Sequence, residues 1–340
     1  MYDYVIITHL PAFYKVNLYN ELAKIYNIYV VFISNNTNEK RSNDFVNLES
    51  LNFQYAILNE GDFQTRNKIQ SIRKLNHILK TIKYKKILVS GWDLPEFWFI
   101  VMTNSKNKNC LALESTVMES NTHGVKGTIK KFFLSRISTV FASGSLHVEL
   151  LKALDFQGNI NITKGVGIIN KPEFQKSEKI YQKRFLYVGR LSKVKNLEML
   201  IKVFNDLPSF SLTLIGDGEE KEYLKKISDS NIIFKDPIEN KKLKDEFLRN
   251  DIFILPSISE TWGLVVEEAL YFGLPVIVSE NCGSSELVEN GKNGFIINPF
   301  DKESIREIIL KIDDNGYSKL VYGVEKFSVD AKDTLQVGVY

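Results

Sequence analysis

Cysteine is scarce: Cys110 and Cys282 are the only two in 340 residues. That excludes a disulfide framework and a cysteine-rich metal site, and it suits a reducing compartment. The four histidines, His9, His77, His123 and His147, show no paired spacing for zinc, and surface or loop roles are expected for the last three. No Asp-x-Asp pair is present to bridge a nucleotide through Mg²⁺. No G-x-G-x-x-G follows a strand pattern either, which argues against a nucleotide dehydrogenase. Long apolar runs are also missing. The best candidate, "LPEFWFIVMTNSKNKNCLAL", turns polar after about ten positions, short of the roughly 20 needed to cross a bilayer. The start, "MYDYVIITHLPAFYKVNLYNELAK", opens on a short apolar strand pattern and not on a basic region followed by a long apolar one. No signal peptide is read there, so a cytoplasmic chain is expected.

What remains is an ordinary globular composition, 44% hydrophobic and 25% charged, long enough for two domains. The net charge of +3 hides an asymmetry. Residues 1–170 hold 20 Lys and Arg against 13 Asp and Glu, and the rest hold 24 against 28. A basic first half suits an anionic partner such as a membrane surface or a phosphorylated ligand. Nucleic-acid binding has no motif behind it.

Strand-like runs alternate with helical ones along the whole chain. The strands read as "YDYVIIT", "NIYVVFIS", "KKILVSG", "NCLALES" and "TVFASG", then "RFLYVGR", "FSLTLIG", "NIIFKD", "DIFILPS", "LPVIVSE" and "GFIINP". Between them lie stretches such as "VNLYNELAKIY" and "NLEMLIKVFNDL", whose apolar spacing is close to 3.6. Such alternation predicts α/β architecture with parallel sheets and crossover helices. The polar stretch 165–184 precedes a fresh strand-helix series and marks a boundary. The expectation is two doubly wound, Rossmann-like domains facing across a cleft, with ligands at the carboxyl ends of the strands. The first spans 1–168, the second 169–325, and 326–340 is expected to cross back onto the first.

The chemistry concentrates in 251–299. Glu260 lies in the loop after one strand, Glu268 on the helix that follows, and Gly263 lets the backbone turn where that helix begins. Carboxylates so placed would accept hydrogen bonds from sugar hydroxyls. In the next strand-end loop, Gly283 and the exposed N–H groups leading into a short helix opened by Ser284 or Ser285 would receive anionic or hydroxyl oxygens. Upstream, "YVGRLSKVKNLEML" sets Arg190 just beyond a strand and Lys195 before a helix, a phosphate clamp by spacing. The Gly-Asp-Gly of "LIGDGEE" reads as a strand-to-helix turn.

These motifs resemble retaining glycosyltransferases of the GT-B fold, family 4, also called glycosyl transferases group 1. The resemblance rests on "YVGRLSKVKN", "LIGDGEE" and "PSISETWGLVVEEALYFGLPVIVSENCGSSELVENGKNGFIINPFD". It is thinner in the first half, carried by "LPAFYKVNLYNELAK" and "ASGSLHVELLKALDF". It implies that Arg190 and Lys195, with Gly189, hold the donor diphosphate. Glu268 would take the ribose hydroxyls, and Glu260 with Gly283, Ser284 and Ser285 the transferred sugar. The reaction would move a sugar from a nucleotide diphosphate, expected to be UDP, without a metal or other cofactor. The acceptor would be a glycan or a lipid-linked sugar in cell-surface polysaccharide synthesis. Where many relatives carry Gly-Gly after the first strand, this chain reads "THLPAFYKVN", leaving His9 and Lys15 for that loop. Where many carry a histidine, it has Glu114.

A nucleotide-sugar epimerase on the same fold and a non-catalytic two-lobed binding protein are the alternatives. Residues 124–138, "GVKGTIKKFFLSRIS", interleave lysines with large apolar residues, as an interfacial helix would. Peripheral contact with the inner face of a membrane is therefore an expectation.

Overall fold

The computed structural model describes residues 1–39, 42, 44–175 and 179–340. The chain divides into two units, Met1–Ile168 with Asp333–Tyr340, and Ile169–Lys332. The second unit runs past the boundary at 325 suggested by sequence. Residues 176–178 of the 165–184 stretch lie outside the described residues.

In the first unit seven strands pair in parallel: β1 (Tyr2–Thr8), β2 (Ile28–Asn36), β3 (Gln54–Asp62), β4 (Tyr84–Val89), β5 (Asn109–Leu113), β6 (Thr139–Ala142) and β7 (Asn159–Ile162). Their order is β3-β2-β1-β4-β5-β6-β7. Successive strand residues face opposite sides, so each strand feeds two core layers. Val5, Ile7, Val31, Ile33, Ile87 and Val89 enter one layer. Ile6, Val30, Phe32 and Leu88 enter the other. Burial on both faces explains why these strands read as unbroken apolar runs. The C-terminal residues complete the second layer through Val337 and Tyr340, whose ring stacks on Phe141 at 4.3 Å between centroids.

The second unit repeats the plan with β8 (Arg184–Val188), β9 (Ser211–Ile215), β10 (Ile232–Lys235), β11 (Ile252–Leu255), β12 (Val276–Ser279) and β13 (Gly294–Ile297). All are parallel, in the order β10-β9-β8-β11-β12-β13. Both sheets are Rossmann-like. Strand order reverses between β1 and β4 in the first sheet and between β8 and β11 in the second, and the crevice at such a reversal is where doubly wound sheets bind ligands.

Each strand run read from sequence forms a strand. The structure adds β3 and β7, the two edges of the first sheet. An edge strand has one neighbour and less need of apolar residues, and β3 buries only Leu58 and Asn59 fully. No helix among the described residues is long and apolar enough to cross a membrane.

Close backbone approach accounts for some glycines. A Cβ at Gly323, inside the helix Asp314–Lys326, would lie 2.0 Å from the Lys292 carbonyl oxygen. Gly323→Ala is therefore expected to destabilise the protein by about 1–3 kcal/mol, although alanine is the better helix former by about 1 kcal/mol. Urea unfolding checks this; a stabilised variant would show that the helix moves away freely.

Candidate active site

In the second unit the carboxyl ends of β8, β11 and β12 converge at the order reversal. The loop after β8 carries Gly189, Arg190 and Lys195. Arg190 is exposed and pairs with no carboxylate among the described residues, while its carbonyl is held by the Tyr187 hydroxyl at 2.7 Å. Lys195 forms an ion pair with Glu260, and both are largely covered, at 13% and 18% side-chain exposure. The two are thus one unit: the carboxylate aims the ammonium, and the lysine N–H groups it leaves over can meet another anion. Gly216 sits beneath, where a Cβ would lie 1.9 Å from the Gly189 carbonyl, so the Gly-Asp-Gly turn serves backbone packing.

The loop after β11 enters the helix Leu264–Tyr271 through Gly263, whose φ of +89° is the left-handed conformation that favours glycine. No side chain caps this helix. Among the described residues the N–H groups of Leu264 and Val265 donate to no protein acceptor, so the helix presents free donors beside Glu260 in chain order. The helix ends in a Schellman motif, with Leu274 N–H on Ala269 O at 2.9 Å and Gly273 N–H on Leu270 O at 3.1 Å.

One expectation is corrected here. The amides of Gly283, Ser284 and Ser285, expected as exposed donors, instead donate to Glu260 O, Trp262 O and Cys282 O at 2.8–3.1 Å. The short helix starts at Gly283, not at a serine. Gly283 is needed for packing, since a Cβ there would lie 2.3 Å from the Thr261 carbonyl oxygen. The Ser284 side chain is wholly buried against Cys282 Sγ, at 3.2 Å. The Ser285 hydroxyl keeps no partner among the described residues and is the group this loop still offers.

Glu267 and Glu268 are adjacent yet placed for different tasks. Glu267 is fully buried: its carboxylate accepts the Trp262 indole N–H at 2.6 Å and pairs with Lys332 at 2.7 Å. That pair holds the loop under the helix. Glu268 accepts the Asn240 side-chain amide at 2.5 Å, and Asn240 in turn accepts Asn170 at 2.8 Å. Sequence reasoning missed Asn240, Asn170, Trp262 and Lys332, whose partners lie 5 to 70 positions away.

In the first unit the loops after β1, β4 and β5 meet at the other reversal. His9 Nε2 lies 3.2 Å from Asp93 and packs edge-on against Phe97 at 5.2 Å. Burial pushes the Asp93 carboxyl up, but the hydrogen bond and charge of His9 outweigh it and hold the group below its ordinary value. Lys15 is buried and pairs with Glu114. Burial alone would lower the Lys15 ammonium; Glu114, with Tyr19 and Tyr14, raises it well above its ordinary value, so it stays charged. His9, Lys15 and Glu114 line one cavity of about 180 Å³ with Tyr14, Phe45 and Phe63. Phe63 is placed by Arg66, which stacks on it at 4.0 Å and pairs with buried Glu96 at 2.9 Å.

His147 differs from its expectation as a surface residue: it is fully buried, with the Glu114 and Gly144 backbone near its ring but, among the described residues, no well-formed hydrogen bond to either ring nitrogen. Burial pushes its imidazole down to about 4, against the opposing effect of Glu114. His77 and His123 are exposed.

Residues 170–322 match the family Glycosyl transferases group 1. The sulfoquinovosyl transferase of Arabidopsis thaliana is 38% identical over 122 residues, 35% of this chain and 24% of the relative. An uncharacterized glycosyltransferase of Haemophilus influenzae is 25% identical over 313 residues, 88% of this chain and 84% of the relative. The chain spans about a quarter to a half of the length of the first curated relatives it matches. Among solved structures, the Anabaena protein HepE in complex with UDP and glucose superposes with a TM-score of 0.73 at 15% identity, covering 98% of each chain. That likeness is one of GT-B fold.

Two outcomes follow from the buried groups. Lys332→Met removes the buried cation that faces Glu267, and is expected to cost roughly 3–5 kcal/mol in urea unfolding; a loss below about 1 kcal/mol would show the pair to be dispensable. The folded His147 value lies below the unfolded one of 6.5, so its contribution is complete above pH 6.5 and is lost as pH falls toward 4. Wild type should therefore lose on the order of 3 kcal/mol more than His147→Leu between pH 7 and pH 4. Equal pH slopes would rule His147 out.

Proposed function

With residues 170–322 matching glycosyl transferases group 1 and each sheet Rossmann-like and parallel, we propose that the chain is a retaining glycosyltransferase of family 4 with a GT-B fold. The reading is supported by the Lys195–Glu260 ion pair at the β8–β11 reversal, with Arg190 in the same strand-end loop as Lys195 and Glu268 on the helix that follows Glu260.

The donor is a nucleoside diphosphate sugar. UDP, which the HepE structure holds, is the nucleotide we adopt. Arg190 and Lys195 meet the diphosphate, with the free amides of Leu264 and Val265 as further donors. Glu268, steadied by Asn240, takes the ribose hydroxyls, and Glu260 with Ser285 takes the transferred sugar. The bond from C1 of the sugar to the phosphate oxygen breaks, and its electron pair leaves on the diphosphate. The acceptor hydroxyl oxygen forms the new bond to C1 from the same face, and its proton passes to the departing phosphate. Charge grows on the leaving group throughout, so fixed cations are the main requirement and no added metal is needed. In the first unit His9, Lys15 and Glu114 meet the acceptor, a glycan or a lipid-linked sugar carried at the inner face of a membrane. A product that reaches cell-surface polysaccharide is consistent with this acceptor.

The epimerase alternative has the His9–Asp93 pair in its favour as an acid-base couple. It would return the nucleotide sugar with one centre inverted and leave the acceptor unglycosylated.

Thermal-shift screening against UDP-, GDP-, ADP- and CDP-sugars without added metal tests the donor. A selective rise for the UDP compounds is expected, lost in Arg190→Ala. Arg190→Ala and Glu268→Ala should each keep the melting temperature of the free protein within a few degrees and lose sugar transfer by roughly 100-fold or more. Wild-type transfer rates in both variants would remove these residues from the site.

A further inference from the structure

The helix Gly124–Ser135 presents a stripe that the rest of its unit does not cover. Val125, Ile129 and Phe132 follow the i, i+4, i+7 spacing of one helical face and are 77%, 48% and 56% exposed. The opposite face, with Phe133 and Leu134, is in the core. The loop before the helix folds back onto it, since Lys130 donates to the Asn121 carbonyl at 3.0 Å and a Cβ at Gly127 would lie 2.2 Å from the Thr122 carbonyl oxygen. Met118, in that loop, is 44% exposed.

Isolated exposed apolar residues are ordinary, but four within fifteen positions are a patch. Its surroundings narrow what it meets. Lys126, Lys130, Lys131 and Arg136 accompany the stripe, against Glu119 and Asp155, the latter paired with Lys131 at 2.5 Å. Two of the three tryptophans also stand here: Trp98 stacks on Phe132 and meets Phe133 edge-on at 4.9 Å, and Trp92 lies under the Lys130 ammonium at 5.3 Å. Apolar stripe, flanking lysines and part-buried tryptophans together are the composition of a helix lying in a bilayer interface.

We propose that this face docks on an anionic lipid bilayer, with Val125, Ile129 and Phe132 entering the headgroup boundary and the lysines meeting lipid phosphates. The excess of 20 Lys and Arg over 13 Asp and Glu in residues 1–170 adds a long-range attraction of the same sign. Docking localises the acceptor reading above but does not depend on the transfer reaction.

The full chain is sedimented with vesicles of neutral phosphatidylcholine and of phosphatidylcholine with 30% phosphatidylglycerol. Binding to the anionic vesicles is expected, at least tenfold weaker to the neutral ones and weaker at high salt. Ile129→Ser with Phe132→Ser and, separately, Lys126→Glu with Lys130→Glu should each reduce it tenfold or more. Bound wild type should show a blue-shifted tryptophan emission from Trp92 and Trp98, because Trp262 is buried in the other unit. Melting temperature and the shift produced by UDP, measured in the same variants, report folding and donor binding independently and should not change. Equal sedimentation of wild type and both double variants overturns the proposal. So does a concentration-dependent dimer abolished by the serine variant without any vesicle binding, which would assign the face to a second copy.

Discussion

A parallel strand can pair with its predecessor only after the chain has crossed back along the sheet, and here helices and loops make every such return. Among the described residues all eleven pairings between the named strands are parallel, so each sheet is clothed on both faces and its strand-end loops all emerge on one side. Where the order reverses, loops from adjacent strands diverge to opposite faces and leave a crevice. Arg190, Lys195 and Glu260 owe their neighbourhood to the β8–β11 reversal, and His9, Asp93, Lys15 and Glu114 to the β1–β4 one. The site is a consequence of how parallel sheets are wound.

Within that frame, ion pairing decides what each charged side chain is free to do. Glu267 and Glu268 follow one another in sequence, but a helix turns successive residues by about 100°. One carboxylate therefore points into the loop packing, where Lys332 and the Trp262 indole make burial tolerable. The next points toward the Asn240 side-chain amide. Buried charges without partners are costly, so Lys332 is as necessary to this helix start as its apolar residues. Lys15 with Glu114 and Lys195 with Glu260 follow the same rule: each cation is held ready by a carboxylate, whereas Arg190 stays unpaired. Among the described residues, the loop after β8 thus leaves the Arg190 guanidinium uncommitted to any carboxylate.

The face of Gly124–Ser135 obeys a different logic. Its lysines and apolar residues read in sequence equally well as a helix half-buried on a core. The structure separates the two uses: Phe133 and Leu134 fill the core, and Val125, Ile129 and Phe132 are left over. No charge count could make that division, because it depends on which side of the helix the sheet occupies.

Composition and periodicity were enough for the class of fold, for the eleven inner and outer strand runs that are strongly apolar, and for the placing of Glu260, Arg190 and Lys195 in strand-end loops and Glu268 on the helix that follows. Those features are local: apolar runs must be buried on both faces, and glycines such as Gly263 must take left-handed backbone. The edge strands β3 and β7 escaped because an edge asks less of its residues. What tertiary structure alone decided is pairing across sequence distance. It engaged the amides of Gly283 and Ser284 with the neighbouring loop, joined Asn240 to Glu268, and sealed His147 in the core. A hydrogen bond needs two groups within about 3 Å, and sequence states which groups exist but not which of them meet.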